Sequence, residues 1–362
     1  MRKITVLIVD DSALIRNLLS QILSSSPLIE VVGTASDPYM AREKIKKLNP
    51  DVLTLDIEMP KMDGLTFLRN LMRLRPMPVV MVSTLTEQGA HVTLDALAYG
   101  AVDFISKPKV DVANRLNEYA DEIINKVLMA STVQVRTLDA AMLSSENSPN
   151  SGGISTAKLD PIITGSPKKQ MNRLKAQLIA LGASTGGTEA IKYVVSKMPA
   201  SSPAIVITQH LPIAFSQSFA NHVNQASEMN ACVAKHGQEI LPGNIYIAPG
   251  DKHLMVITKG AHYVCQLDDG PPVNRHKPSV DILFHSVAQN VGSHAIGVML
   301  TGMGVDGAKG MVEMHDSGAI NIIQDESSSV VWGMPGEAYR LGAVDYVQPL
   351  ERIPAQILAL KA

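Results

Sequence analysis

Five polar residues in the N-terminal third have the types and spacing expected of a phosphoryl-transfer site. Asp10 and Asp11 directly follow the first apolar run of the chain, and Asp56 follows the third. Ser83 ends the fourth such run, and Lys107 follows the fifth. Three carboxylates in one place repel each other unless a cation joins them, and oxygen ligands in this number suit Mg²⁺. A carboxylate beside Mg²⁺ can be phosphorylated as an acyl phosphate, whose oxygens the hydroxyl and the ammonium would bind.

A second candidate site, in the C-terminal half, contains the residue types of a serine nucleophile site. Residues 182–187, Gly-Ala-Ser-Thr-Gly-Gly, satisfy Gly-x-Ser-x-Gly between an apolar run and a helical segment, a context that exposes the hydroxyl of Ser184. A glycine-rich phosphate cradle is the competing interpretation of this loop, although the dinucleotide and Walker spacings are absent. His210 and Asp306 each follow a further apolar run. In a triad, His210 would accept the proton of Ser184 and Asp306 would orient the imidazole.

The order of these three residues along the chain disfavours an ordinary α/β-hydrolase, in which the acid precedes the histidine. The histidines are concentrated in the C-terminal half, but they form no His-Glu-x-x-His pattern. We therefore expect His253 and most of the others to be surface or half-buried residues, and no cofactor at the serine site.

Alternating apolar runs and amphipathic segments predict the elements that position the first site. Strands are predicted at 4–9, 30–35, 51–55, 78–83 and 102–105, with helices near 12–24, 38–48, 64–74, 88–98 and 111–128. Five strand–helix units imply a parallel sheet covered by helices on both faces. The carboxyl ends of such strands meet in a crevice, which is where the candidate phosphoryl site would lie.

The C-terminal half shows the same alternation with one strand-rich interruption. Strands are predicted at 177–183, 204–208, 295–300 and 319–323, with helices near 187–197, 213–226, 279–290 and 305–316. Ser279 is the predicted N-cap of one of these helices. Further strands at 244–248, 254–258 and 263–267, with a turn near Lys259-Gly260, indicate an antiparallel insertion. The predicted fold class is therefore α/β, with two doubly wound domains.

The segment 129–175 is rich in serine, glycine and proline and has no persistent apolar face. A stretch of this length without periodicity is typical of a connection between domains. We therefore predict a first domain over 1–128, a linker over 129–175 and a second domain over 176–362.

Composition excludes several classes of protein. The chain has 362 residues with 32 Lys+Arg against 34 Asp+Glu, which argues against a dedicated nucleic-acid binder. No apolar run is long enough to insert into a membrane, and no signal-peptide cleavage site follows the N-terminal run. Cys232 and Cys265 are isolated, as is common in a reducing compartment. We expect a soluble cytoplasmic protein.

The first domain resembles the receiver domain of bacterial two-component response regulators. The resemblance rests on the motifs at 9–12, 55–60 and 63–64, on Ser83, and on Lys107-Pro108. It implies a flavodoxin-like fold and phosphorylation of Asp56 by a histidine kinase.

The same resemblance assigns roles to individual residues. It implies Mg²⁺ ligation by Asp11, Asp56 and the backbone carbonyl of Glu58, with Asp10 in the outer shell. It also implies that Ser83 and Phe104 form the switch that responds to phosphorylation, and that Lys107 binds the phosphoryl group.

The second domain resembles the catalytic domain of the CheB family of chemotaxis methylesterases. The shared motifs lie at 182–187, 209–210, 248–250, 275–281, 301–307 and 324–326. The resemblance implies catalysis by Ser184, His210 and Asp306, with Thr185 and Met303 near the oxyanion site. It further implies hydrolysis of glutamate γ-methyl esters, and deamidation of glutamines, on the cytoplasmic part of a methylated chemoreceptor. The alternative is a response regulator whose second domain binds or scaffolds a partner without catalysis.

Overall fold

The computed structural model describes residues 2–84, 86–107, 116–133, 135 and 177–361. The chain divides into two compact units, of residues 1–157 and 158–362. Most of the predicted linker over 129–175 lies outside the described residues, so the proposed domain boundaries stay a prediction.

The N-terminal unit alternates strands and helices as the sequence pattern predicts. Its elements are β1 (Ile4–Val9), α1 (Ala13–Ser24), β2 (Ile29–Ala35), α2 (Pro38–Leu48), β3 (Val52–Asp56), α3 (Gly64–Leu74), β4 (Val79–Ser83), α4 (Glu87–Ala98), β5 (Asp103–Ser106) and α5 (Leu116–Ala130). The strands form one parallel sheet in the order β2-β1-β3-β4-β5. The order reverses direction between β1 and β3, and this switch point brings the ends of those two strands together.

The central strands of this sheet are buried on both faces because helices cover both. Every residue of β3 and of β4 is buried, and both strands read as nearly continuous apolar runs. Helices α2 and α3 begin where a side chain satisfies a free backbone amide, whereas the N-cap of α1, Ser12, makes no such bond. The carboxylate of Asp37 accepts from the amide of Met40 at the start of α2, and Asp63 accepts from Thr66 at the start of α3.

The C-terminal unit is built around a larger parallel sheet. Its elements are β6 (Leu178–Ala183), α6 (Gly187–Val195), β7 (Ala204–Gln209), α7 (Ile213–Ala226), β8 (Asn230–Val233), β9 (Asn244–Ile247), β10 (His253–Lys259), β11 (His262–Asp268), α8 (Val280–Asn290), β12 (Ala295–Met299), α9 (Ala308–Asp316), β13 (Ile320–Gln324), α10 (Met334–Arg340), β14 (Tyr346–Gln348) and α11 (Ile353–Lys361). The sheet has the order β14-β13-β12-β6-β7-β9-β8, and its strands are parallel. Its switch point lies at β6, between β12 and β7.

The predicted fold class is confirmed, with a smaller antiparallel part than the sequence suggested. Strands β10 and β11 pair antiparallel around the predicted turn, with Lys259 opposite His262. Strand β9, predicted as part of the same insertion, instead joins the parallel sheet beside β7. The sequence analysis did not predict β8, α10, β14 and α11, which are short elements of three to nine residues. Among the described residues, no helix is both long and apolar enough to cross a membrane.

Candidate functional sites: an acidic pocket and a serine triad

The acidic pocket forms at the switch point of the N-terminal sheet. Ligand oxygens of Asp10, Asp11 and Asp56 all lie within 4.8 Å of one another. The ammonium nitrogen of Lys107 is 2.8 Å from Oδ2 of Asp56 and 3.4 Å from Oδ2 of Asp10. The amide of Glu58 donates to Oδ1 of Asp56 at 3.3 Å, which places the Glu58 backbone beside the same carboxylate. The structure thus brings together the three predicted aspartates, Lys107 and the Glu58 backbone in one pocket.

Burial sets the proton affinity of this pocket. Asp10 and Asp56 are almost fully buried, whereas Asp11 is exposed. Burial raises the pKa of Asp56 from 3.8 to about 6, because the ammonium of Lys107 offsets only part of the desolvation and the charge of Asp10 adds to it. Burial likewise raises the pKa of Asp10.

The pocket fits a divalent cation. The Oδ2 atoms of Asp10 and Asp56 are buried and lack a well-aligned hydrogen-bond donor, although the Lys107 ammonium lies nearby. Three carboxylates converging with a single ammonium leave excess negative charge, and an oxygen donor set of this kind suits Mg²⁺.

Replacing Asp56 with asparagine should stabilise the N-terminal unit at pH 8 without Mg²⁺. The folded state raises the pKa of this carboxyl from 3.8 to about 6, so its ionisation opposes folding. The cost is fully present above pH 6 and disappears as the pH falls to the unfolded value. The shift corresponds to about 3 kcal/mol in the free energy of unfolding. Urea unfolding in EDTA at pH 8 and pH 4, with the exposed Asp121→Asn as control, measures it. Equal stability of wild type and Asp56→Asn at pH 8 would contradict the prediction.

The two predicted switch residues are buried next to the pocket but make contacts elsewhere. The Ser83 hydroxyl accepts from Oγ1 of Thr93 at 2.7 Å and lies 3.4 Å from the carbonyl oxygen of Gly89, so it is bonded to α4. Phe104 is buried on β5, with the ammonium of Lys126 4.9 Å from its ring centroid.

The second site forms at the switch point of the larger sheet. Ser184 follows β6, His210 follows β7 and Asp306 lies in the loop after β12, so three adjacent strand ends carry the three side chains. Nδ1 of His210 lies 3.1 Å from Oγ of Ser184, and Nε2 lies 2.8 Å from Oδ2 of Asp306. The structure therefore joins the predicted hydroxyl, imidazole and carboxylate in one hydrogen-bonded chain.

The two ring nitrogens of His210 have exchanged partners relative to the chymotrypsin arrangement, in which Nε2 faces the serine. Here Nδ1 faces Ser184 and Nε2 faces the carboxylate. The proton between His210 and Asp306 therefore lies on Nε2, which leaves Nδ1 as the basic atom.

Asp306 is held as an anion by an unusually complete set of donors. Its Oδ2 accepts from His210 and from the amide of Val280 at 2.7 Å. Its Oδ1 accepts from the Ser279 hydroxyl at 2.7 Å and from the side-chain amide of Asn274 at 2.8 Å. The backbone amide of Asp281 also donates to Oδ1, at 3.3 Å. Burial by itself would raise the pKa of Asp306, but these hydrogen bonds, led by that from His210, lower it below its ordinary value.

Two of these donors are the first amides of α8, so Asp306 occupies the N-terminus of that helix. The predicted cap, Ser279, stands at the N-cap position but makes no capping hydrogen bond with its side chain. Its hydroxyl bonds to Asp306 instead, and the carboxylate of Asp306 caps the helix in its place. A negative charge at a helix N-terminus is stabilised by the helix dipole, which further favours the ionised form.

The Ser184 loop is fixed by its neighbours on both sides. The amide of Ser184 donates to the carbonyl of Thr301, and its carbonyl accepts from the Gln209 side chain and the amide of Gly187. Gly302 approaches so closely that a Cβ there would lie 2.9 Å from Cβ of Ser184. Gly302 therefore lies against the nucleophile residue, and Met303 is the next residue along the chain.

The predicted oxyanion residues differ in their availability. Thr185 is buried in the turn after Ser184, and its carbonyl accepts from the Thr301 hydroxyl at 3.0 Å. The amide of Met303 donates no hydrogen bond among the described residues. The amide of Ser184 already donates to the carbonyl of Thr301, so it is not available to an oxyanion.

Sequence patterns missed the residues that support the triad from the loop before α8. Asn274 reaches two carboxylates, donating to Asp306 at 2.8 Å and to Asp281 at 2.7 Å. His253, expected to be a surface or half-buried residue, is instead buried, with 1% of its surface exposed. Its Nδ1 accepts from the amide of Ser279, and its Nε2 donates to the carbonyl of Pro271. No local pattern marks such residues, since their partners are distant in sequence; only the motif at 275–281 indicated this region.

Comparison with known proteins identifies the family of each unit. Residues 179–357 match the model of the CheB methylesterase family, and residues 6–117 match that of the response regulator receiver domain. Over 99% of its length the chain is 56% identical to a protein-glutamate methylesterase/protein-glutamine glutaminase of Hydrogenovibrio crunogenus, covering 99% of that protein. A protein of the same description from Nitrosomonas europaea is 53% identical, with 99% of this chain and 97% of that one covered.

A solved structure matches the second unit. The catalytic domain of the Thermotoga maritima CheB methylesterase is covered completely by 52% of this chain, with 35% identity and a TM-score of 0.50. The two full-length relatives match both units of the chain in one sequence, and this structure matches the second unit. The chain belongs to the CheB methylesterase family, with a response regulator receiver domain at its N-terminus.

Proposed function

We propose that this protein is a phosphorylation-activated serine esterase. Its substrates would be glutamate γ-methyl esters and specific glutamines on the cytoplasmic domain of a methylated chemoreceptor, which would give it a role in chemotaxis adaptation. The observation that carries the proposal is the hydrogen-bonded chain from Ser184 through His210 to Asp306. Regulation would reside in a receiver over 1–128 and catalysis in a domain over 176–362, connected by the linker over 129–175.

The proposed reaction proceeds in two proton-coupled steps. Nδ1 of His210 accepts the hydroxyl proton as Oγ of Ser184 attacks the ester carbonyl, and Asp306 stabilises the resulting imidazolium. The tetrahedral intermediate collapses, and methanol leaves with the proton from His210. Water then attacks the acyl-enzyme with His210 again as base, which releases the glutamate carboxylate and restores Ser184.

Deamidation would use the same residues. Ser184 attacks the carbonyl of a glutamine side chain, and His210 protonates the departing nitrogen, so that ammonia leaves in place of methanol. In both reactions the negative oxygen of the intermediate would be bound by the backbone amides of Met303 and Thr185.

The full-length relatives are described as protein-glutamate methylesterases, and this description supports a macromolecular substrate. The direct test is methanol release from receptor membranes that carry labelled methyl esters.

In the receiver, the acidic pocket would hold Mg²⁺ through Asp11, Asp56 and the carbonyl of Glu58, with Asp10 nearby. The ion would neutralise charge as a phosphoryl group is transferred from a histidine kinase to Asp56, and Lys107 would bind a phosphoryl oxygen. Ser83 and Phe104 would then respond to the new group. We place the protein in the cytoplasm, where kinase and receptor domains would both be accessible.

Phosphorylation should increase the rate of methanol release by the full-length chain. If the unphosphorylated receiver inhibits the catalytic domain, a small-molecule phosphodonor with Mg²⁺ should raise turnover by at least about fivefold, since coupling between domains is commonly worth 1–3 kcal/mol. Asp56→Asn should not respond, and EDTA should abolish the response of the wild type. Equal stimulation of Asp56→Asn would show that activation does not pass through this carboxylate.

A further inference from the structure

The imidazole of His276 lies flat against the imidazole of His210. The two ring centroids are 3.7 Å apart and the ring planes differ by 8°. His276 belongs to the loop before α8. It therefore contacts the basic residue of the site through its ring face.

The loop that carries His276 is a tight turn held in a costly conformation. Val273 and His276 exchange backbone hydrogen bonds of 2.9 and 3.0 Å across the turn. The two central residues, Asn274 and Arg275, have φ angles of 50° and 68°. Non-glycine residues rarely adopt this left-handed region, and such strain persists where the surroundings impose it, often at functional sites.

The side chain of Asn274 is what anchors this turn to the triad. Its amide donates to Asp306 at 2.8 Å and to Asp281 at 2.7 Å. One residue of the turn thus bonds to the acid of the triad, while another stacks on its base. The turn holds the His276 ring at a fixed position relative to both.

We propose that His276 is a positioning residue for His210 and acts through the flat face of its ring. Both nitrogens of His210 must stay aligned, Nδ1 with Ser184 and Nε2 with Asp306, and a tilt of the ring would move both. The stacked face opposes that tilt, and its π-electrons stabilise the imidazolium that forms when Ser184 attacks. This inference rests on the proposed esterase function and assigns His276 no proton transfer.

The test compares two replacements of His276 in the full-length protein, one with a planar ring and one without. For His276→Phe, which keeps the ring face without nitrogens, we expect kcat for methanol release within about threefold of wild type. For His276→Leu we expect kcat to fall by about 10- to 100-fold with little change in KM. The exposed His262, on β11, supplies the control His262→Leu, which should behave as wild type.

A second readout avoids the receptor altogether. The rate at which a fluorophosphonate modifies Ser184 depends on His210 and should follow the same order, with Phe close to wild type and Leu slow. Circular dichroism at the assay temperature confirms that each variant is folded. A similar loss in the Phe and Leu variants, no loss in either, or a change confined to KM would each overturn the inference. Wild-type protein that neither releases methanol nor reacts with the fluorophosphonate would instead overturn the proposed function.

Discussion

Ser184→Ala is expected to reduce the rate of methanol release from a methylated receptor by about 10⁴- to 10⁶-fold. The substitution removes the only atom that can form the acyl-enzyme, while the loop around it stays in place. That loop is held by the backbone of Ser184, through bonds with Thr301, Gly187 and the Gln209 side chain, and none of these involves Oγ. The loss should therefore appear in kcat, with the fold intact.

The assay is methanol release from labelled receptor membranes, with ammonia release from receptor glutamines as a parallel measurement. Both activities should disappear together, because one nucleophile serves both. Ser196→Ala, at the end of α6, is the matched control, since its hydroxyl bonds only to the neighbouring turn. A Ser184→Ala protein with near-normal turnover would eliminate the serine mechanism.

Asp306→Asn is expected to lower kcat by about 10³- to 10⁴-fold and to destabilise the C-terminal unit. Both carboxylate oxygens accept hydrogen bonds, Oδ2 from His210 and the Val280 amide, Oδ1 from Ser279 and Asn274. In Asp306→Asn, the NH₂ group replaces either Oδ1 or Oδ2 and faces hydrogen-bond donors there. The donors at that position lose their acceptor. The substitution would therefore both loosen the orientation of His210 and weaken the cap of α8.

The two effects can be measured separately. Thermal unfolding reports the loss of the helix cap, and the fluorophosphonate rate at a temperature where the variant is folded reports the loss of the triad. Asp251→Asn, at an exposed position, controls for the change in charge. Unchanged reactivity in folded Asp306→Asn would mean that the carboxylate serves α8 alone.

The sequence predicted the position of a functional side chain best where that residue comes directly after a strand. Asp10, Asp56 and Lys107 each follow a recognisable apolar run, and so do Ser184 and His210. Parallel strands must end at the same edge of their sheet, so predicting the strands was enough to predict which side chains meet. Ser83 was predicted in the correct strand, but its hydrogen bond with Thr93 depends on how α4 packs.

The sequence alone determined the α/β fold class of this chain. It predicted Ser184, His210 and Asp306 as nucleophile, base and acid, and Asp56 as the residue that accepts a phosphoryl group. Those conclusions depend on local periodicity and on motifs a few residues long. Only the tertiary structure decided which nitrogen of His210 faces Ser184, that Asp306 caps α8, and that Asn274 and His276 support the triad. These contacts join residues 26 to 96 positions apart in sequence, and no local pattern encodes how a loop such as 273–277 packs against a distant strand end.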